Sequence, residues 1–186
     1  MRTLIVSEFV TLDGVMEAPG GEPSHPHTGW VGDYASEEFA AFKLQEIQDA
    51  EALLLGRVTY ESFAGAWPDR TGPMAEKTNA MPKLVASTTL TDPGWENARV
   101  LQGDVADAVA AEKAQDGGPL LVAGSCTLVH TLLCAGLVDE LRLMVFPVAI
   151  GSGLKVFPES PDKLTFTLAD SVRFTNGVLV HTYRQL

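Results

Sequence analysis

Two short segments carry the most suggestive chemistry in this sequence. Leu53-Leu54-Leu55-Gly56-Arg57-Val58-Thr59 and Leu121-Val122-Ala123-Gly124-Ser125-Cys126-Thr127 each pass from an apolar strand-like stretch through a glycine into a helix-like segment. A glycine there lets the chain turn tightly, and the first turn of the following helix points unpaired N–H groups outward, which makes an anion site. Two such junctions can hold the two ends of a dinucleotide diphosphate, with Thr59 and Thr127 adding hydroxyl donors. Plain strand-to-helix turns at Gly56 and Gly124 are the equally simple alternative. Asp13, in Leu12-Asp13-Gly14 after the first strand-like run, either meets a substrate or closes an Asx-type turn on Gly14.

Other chemistries fit poorly. Ser125 sits at a strand-to-helix turn but lacks the G-x-S-x-G elbow of a serine hydrolase, and His130 lies five residues further along the same helix. His25-Pro26-His27 reads as a solvent-exposed loop pair, so no metal is expected. Gly151-Ser152-Gly153 lacks the third glycine of a Rossmann fingerprint and precedes no helix. Cys126 and Cys134 fall in one predicted helix, roughly 12 Å apart at ~1.5 Å rise per residue, too far for a disulfide. A net charge of −11 argues against nucleic acid or an anionic membrane as partner. The longest apolar run, Leu143 to Ile150, has eight residues and contains Pro147, against the ~20 of a membrane span. The N-terminus meets Glu8 before any signal-peptide-like apolar stretch, so a cytoplasmic protein is expected.

The elements that must position these residues are legible as periodicity. A length of 186 residues suits one domain spanning 1–186. Strand-like runs occur at Thr3 to Phe9, Ala52 to Leu55, Lys83 to Ser87, Ala98 to Leu101 and Leu120 to Ala123. Helices are predicted from Ser36, as N-cap, to Ala50, from position 57, from Asp104 to Gln115 and from Ser125 to Ala135. Phe39, Phe42 and Ile47 form the inward stripe of the first of these helices. Short apolar strands alternating with helices imply an α/β fold, with a mostly parallel central sheet covered on both faces. The tail differs: Glu140 to Ala149, Leu164 to Phe174 and Val178 to Arg184 have no helix between them, and Asn176-Gly177 marks a hairpin, so the sheet should end in antiparallel strands. Glu17 to Gly32 is a linker-like stretch, the length of a lid or binding loop.

Gly56-Arg57-Val58-Thr59-Tyr60-Glu61-Ser62 resembles the Gly-Arg-x-Thr-aromatic-Glu-Ser signature of dihydrofolate reductases. Ser7 to Gly14, Lys83 to Thr88, Ala123 to Leu133, Gly136 to Leu141 and Pro147 to Phe157 resemble, in order, segments of the wider dihydrofolate-reductase-like family, and point to its riboflavin-biosynthesis reductase branch (the RibD C-terminal domain). No H-x-E or P-C-x-x-C deaminase signature accompanies them. The resemblance implies a three-layer α/β fold with NADPH bound across the sheet. It assigns Gly56, Arg57, Val58 and Thr59 to the cofactor's phosphates, Ser87 and Thr88 to the adenosine ribose and its 2′-phosphate, and Gly124, Ser125, Cys126, Thr127 and Leu128 to the pyrophosphate and nicotinamide half. Two departures stand out. The family's paired glycine is Gly124-Ser125 here, and Thr127 stands where a basic residue is common, which weakens the preference for NADPH over NADH.

On the substrate side, Glu38 lies four residues before Phe42, the spacing of the pterin-holding carboxylate in dihydrofolate reductases; it also suits a helix N-terminus. Asp13 and Glu38 are the candidate proton donors, with water the alternative. Met16, Trp30, Phe42, Phe63 and Trp67 are candidate substrate contacts, although aromatics at such spacings also build cores. Hydride transfer asks for alignment and exclusion of water rather than a nucleophile. The expectation is an NADPH-dependent reductase acting on a small pterin- or pyrimidine-like heteroaromatic. A non-catalytic nucleotide-binding module of the same fold is the alternative. Homodimers are common in the family, with Leu141 to Ile150 as a candidate contact or simply core.

Overall fold

The computed structural model describes residues 1–160 and 162–186. Its strands form one sheet in the order β4-β3-β2-β5-β1-β6-β8-β7. β1 (Leu4–Thr11), β2 (Ala52–Gly56), β3 (Lys83–Ala86), β4 (Ala98–Val100), β5 (Leu120–Ala123) and β6 (Glu140–Phe146) run parallel, while β7 (Phe166–Arg173) and β8 (Leu179–Gln185) close the sheet antiparallel. The alternation of strand and helix anticipated this, and the Asn176-Gly177 turn joins β7 to β8 with Gly177 at φ 90°.

Helices α1 (Glu37–Asp49), α2 (Arg57–Ala66) and α3 (Pro73–Ala80) cover one face; α4 (Val105–Ala114) and α5 (Cys126–Cys134) cover the other. Local chemistry starts them. The Ser36 hydroxyl accepts from the Phe39 N–H at 3.2 Å, and Asp104 accepts from Ala106 and Asp107 at the head of α4. α3 has no counterpart in the periodicity reading; its signals are Gly72 followed by Pro73 at the first turn. The two cysteines stand at opposite ends of α5 as free thiols.

Alternate residues of the central strands build two cores. Leu4, Val6, Leu54, Leu84, Leu120 and Val122 pack toward α4 and α5, whereas Ile5, Leu53, Leu55, Val85 and Leu121 pack toward α1–α3. β6 lies between β1 and β8, and its Leu141, Leu143, Met144 and Phe146 are buried within the chain. These four side chains therefore serve as core, whereas Pro147 and Ala149, just beyond β6, are exposed.

The stretch after β1 is docked rather than linker-like. Leu12 and Met16 N–H groups donate to Val148 and Leu154 carbonyls, Val156 N–H donates to Gly14, and Glu17 accepts from Leu154 N–H. A Cβ on Gly153, at φ 123°, would lie 2.7 Å from Val15 Cγ1, so only glycine admits this contact. Trp30 packs on Phe146 with its ring N–H donated to the Glu17 carbonyl. His25, expected in solvent, is buried; its Nε2 lies 3.3 Å from Ser152 Oγ and its Nδ1 accepts from His27 N–H. The histidine thus pins one loop to the other. Among the described residues no helix is long and apolar enough to cross a membrane.

Candidate functional site

Parallel strands deliver their C-terminal ends to one edge of the sheet, so Gly56, Ser87-Thr88 and Gly124-Ser125 gather there although they are far apart in sequence. β2 and β5 are neighbours, but the helices after them leave to opposite faces. Such a divergence opens a crevice at the carboxyl edge.

The two glycine junctions are fastened to each other. Gly56 N–H donates to Ser125 Oγ at 2.9 Å, and Ser125 N–H donates to Thr59 Oγ1 at 2.9 Å. Gly124 and Ser125 have φ of 62° and 65°, and a Cβ on Gly124 would come within 3.2 Å of the Thr59 side chain. A side chain at 124 would therefore crowd Thr59 and add left-handed strain. Serine at 125 carries left-handed strain of roughly 1 kcal/mol, which its hydroxyl contact with Gly56 offsets. Thr59 and Ser125 are thus engaged inside the protein. The first turns of α2 and α5, from Arg57-Val58 and from Cys126-Thr127-Leu128, retain outward N–H groups, as helix starts do. Arg57 donates to Glu61 at 2.8 Å in an exposed pair, an interaction weak enough to exchange for a phosphate. Ser87 Oγ accepts from the Thr89 and Leu90 N–H groups, and Thr88 is exposed beside it. The Cys126 thiol is pushed up by burial and by Glu8 and Glu17, so it is a neutral group rather than a nucleophile. Its sulfur lies 3.5 Å from His130 Nε2, and both side chains contact the Lys155 carbonyl.

The two acids selected from the sequence both serve distant backbone. Asp13 forms no Asx turn with Gly14. Its carboxylate accepts from Thr11 Oγ1 at 2.5 Å, Gly151 N–H at 2.7 Å and Ile150 N–H at 3.3 Å, and the Thr11 hydroxyl first, then the Gly151 N–H, holds it below the usual carboxylate range. Glu38 accepts from the Thr175 hydroxyl and N–H at 2.6 and 2.8 Å, and these bonds lower its pKa in the same way. Glu38 therefore clasps the β7–β8 turn. The substrate candidates do not converge: Met16 is buried toward α5, Trp30 and Phe42 pack around Phe146 and Phe174, and Phe63 and Trp67 pair with each other beside α3.

The structure instead brings forward charged residues that periodicity did not flag. Ser7 and Glu8 on β1 and Glu46 on α1 are buried, with Lys43 and Arg142 beside them. Glu46 takes Lys43 and Ser7 on one oxygen and Arg142 on the other. Burial pushes its pKa up, but Lys43, Ser7 and Arg142 together outweigh that and hold it below normal. Glu8 Oε2 accepts from Gly124 N–H at 3.0 Å, while Oε1 is buried without a partner. Burial raises the Glu8 pKa well above the usual range, against the opposing pull of Lys43 and the Gly124 N–H. The one signal in the sequence was the polar pair Ser7-Glu8 interrupting the apolar run Leu4 to Val10.

Comparison with known proteins agrees with this architecture. The family described as RibD C-terminal domain matches residues 2–180. The uncharacterized protein YyaP of Bacillus subtilis (strain 168) is 26% identical over 188 residues, covering 98% of this chain and 94% of YyaP. A candidate riboflavin biosynthesis protein from Shewanella sp. PV-4 superposes with a TM-score of 0.76 at 23% identity over 99% of each chain. The diaminohydroxyphosphoribosylaminopyrimidine deaminase/5-amino-6-(5-phosphoribosylamino)uracil reductase of Thermotoga maritima gives 0.70 at 14% identity, over 100% of this chain and 57% of that one. At these identities the solved structures show a shared fold.

Proposed function

The chain belongs to the RibD C-terminal domain family, and on that premise we propose that its 186 residues form one reductase domain that uses NADPH on a small pterin- or pyrimidine-like heteroaromatic. The observation that carries this reading is the pair of fastened glycine junctions. They set two helix starts side by side at the carboxyl edge of the sheet, as a pyrophosphate-bridged ligand requires.

The donor set fits the cofactor. The Arg57 and Val58 end of α2 and the Cys126, Thr127 and Leu128 end of α5 would hold its phosphates, with Ser87 and Thr88 toward the adenosine ribose. Arg57 can supply a charge-assisted hydrogen bond after releasing Glu61. Gly56, Thr59, Gly124 and Ser125 act as the frame that fixes these donors. The bound cofactor supplies a hydride. The protein's part is to align the acceptor at the β1 end of the crevice and to keep water out, and the docked loops over Met16 and Trp30 suit that task.

Calorimetric titration with NADPH tests the reading. The wild-type chain is expected to bind it, and Arg57→Ala to bind it about 1–3 kcal/mol more weakly through the lost charge-assisted hydrogen bond. Undiminished affinity in that variant would remove the α2 junction from the site. The rival reading, a nucleotide-binding module without turnover, draws on the engagement of Asp13 and Glu38 by backbone. NADPH oxidation over a panel of pterin, pyrimidine and quinone acceptors decides between the two. We place the protein in the cytoplasm as a homodimer joined through its outer strands, where Leu168 and Val172 of β7 are 52% and 38% exposed. A monomeric mass in sedimentation would reject the dimer.

A further inference from the structure

β1 pairs with β5 only as far as Ser7↔Ala123, but with β6 as far as Thr11↔Phe146. From Glu8 onward, β1 therefore has no strand on its β5 side, and the sheet ladder is left unpaired between it and the Gly124 turn. The Gly124 N–H is directed to the Glu8 carboxyl at 3.0 Å. Glu8 is 3% exposed, and its second oxygen, Oε1, has no hydrogen-bond partner. Buried polar atoms left in that condition are rare, and a bound group is one standard remedy.

We propose that Glu8 is a cofactor-contacting residue whose unpartnered Oε1 hydrogen-bonds the carboxamide of the nicotinamide where the ladder is unpaired between β1 and the Gly124 turn. This rests on the reading of the glycine junctions as the NADPH site.

Charge and geometry both favour an uncharged, planar acceptor. Lys43 and Glu46 act on Glu8 from α1, Cys126 faces it from α5, and the Gly124 N–H meets it from the turn. Burial dominates this set and raises the pKa of the carboxyl, which favours its protonated form. Because Oε2 already accepts from Gly124, the proton belongs on Oε1, which makes that oxygen a donor in search of an acceptor. The phosphates are served by the N–H groups of α2 and α5. What remains for Glu8 is the ring end of the same ligand, whose amide oxygen is neutral and lies in the ring plane. The nicotinamide is thereby oriented by a side chain as well as by backbone.

Calorimetry on the full chain tests this with two ligands, NADPH and 2′,5′-ADP, which lacks the nicotinamide. Glu8→Met should weaken NADPH ~10-fold or more by removing one buried hydrogen bond, with 2′,5′-ADP unchanged. The unchanged ligand also reports an intact junction. In Glu8→Gln the amide accepts from Gly124 and donates in place of the hydroxyl, so NADPH affinity is kept. Relative to Glu8→Gln, wild-type affinity should fall as pH rises through the Glu8 titration. Wild-type NADPH affinity in Glu8→Met overturns the proposal, leaving Oε1 to a water. Equal weakening of both ligands overturns it too, because Glu8 then only shapes the turn. If the wild-type chain binds neither ligand, the NADPH reading itself fails.

Discussion

On α1, Glu46 has both oxygens engaged, by Lys43 and Ser7 on one side and by Arg142 on the other. On β1, Glu8 has one backbone N–H and an unpartnered oxygen. Both side chains are almost wholly removed from water and act on each other electrostatically, and Lys43 acts on both. Yet the pKa of one is lowered and that of the other is raised. Burial raises the pKa of either; what differs is whether donors and opposite charges stand close enough to reverse it. A closed network makes Glu46 structural, since its lone pairs are satisfied within the protein. An open one makes Glu8 available, since satisfaction must come from outside.

The largest expected effect comes from breaking the closed partner. Glu46→Ala leaves the half-buried Lys43 without its anion and Arg142 with Glu140 alone, and should cost up to about 3–5 kcal/mol in urea unfolding. A loss near zero would mean that water and Glu140, not Glu46, neutralise them. Because the folded pKa of Glu46 lies below its unfolded value, its stabilisation is present above the ordinary carboxylate range and is lost as pH falls through the folded pKa. Glu46→Gln should remove that acid limb.

Glu8→Gln should act with the opposite sign and a smaller size. Glu8 has a raised folded pKa, so its contribution is full below the unfolded pKa and is lost as pH rises through the folded one. At neutral pH and above, the glutamine variant is expected to be more stable than wild type by about 1 kcal/mol, since no buried carboxyl then remains to ionise. The gain should vanish on acidification. A destabilised Glu8→Gln at alkaline pH would show that the fold favours the ionised Glu8, so that its pKa is not raised. Smallest of all, Ser7→Ala removes one hydrogen-bond donor to Glu46, while Lys43 and Arg142 remain. It should cost about 0.5–1.5 kcal/mol in the same unfolding measurement, and a larger loss would make Ser7 a keystone of the network.

These outcomes bear on how far the residues could be read before folding. Gly56 and Gly124 announced themselves because the requirement is local: a strand, a turn and a helix start within seven residues. The Ser36 cap and the Asn176-Gly177 turn were legible for the same reason. Asp13 and Glu38 also sit in suggestive local patterns, but their partners, Gly151 and Thr175, lie 138 and 137 residues away. Nothing near either acid says that its oxygens are already taken. Glu46 sits one residue before Ile47 on the inward side of α1, yet a charged residue reads as solvated until the groups that neutralise it are known.

Composition, periodicity and turn chemistry by themselves determined an α/β chain with a parallel sheet, an antiparallel end and two glycine junctions, since each depends on residues a few positions apart. Only the tertiary structure decided that the junctions are fastened through Ser125 and Thr59, that the loop after β1 is docked through His25, and which buried acid keeps a free oxygen. Those properties arise where β1 leaves β5 and where distant segments desolvate one another. A carboxyl group's charge is set by that surrounding, not by its neighbours in the chain.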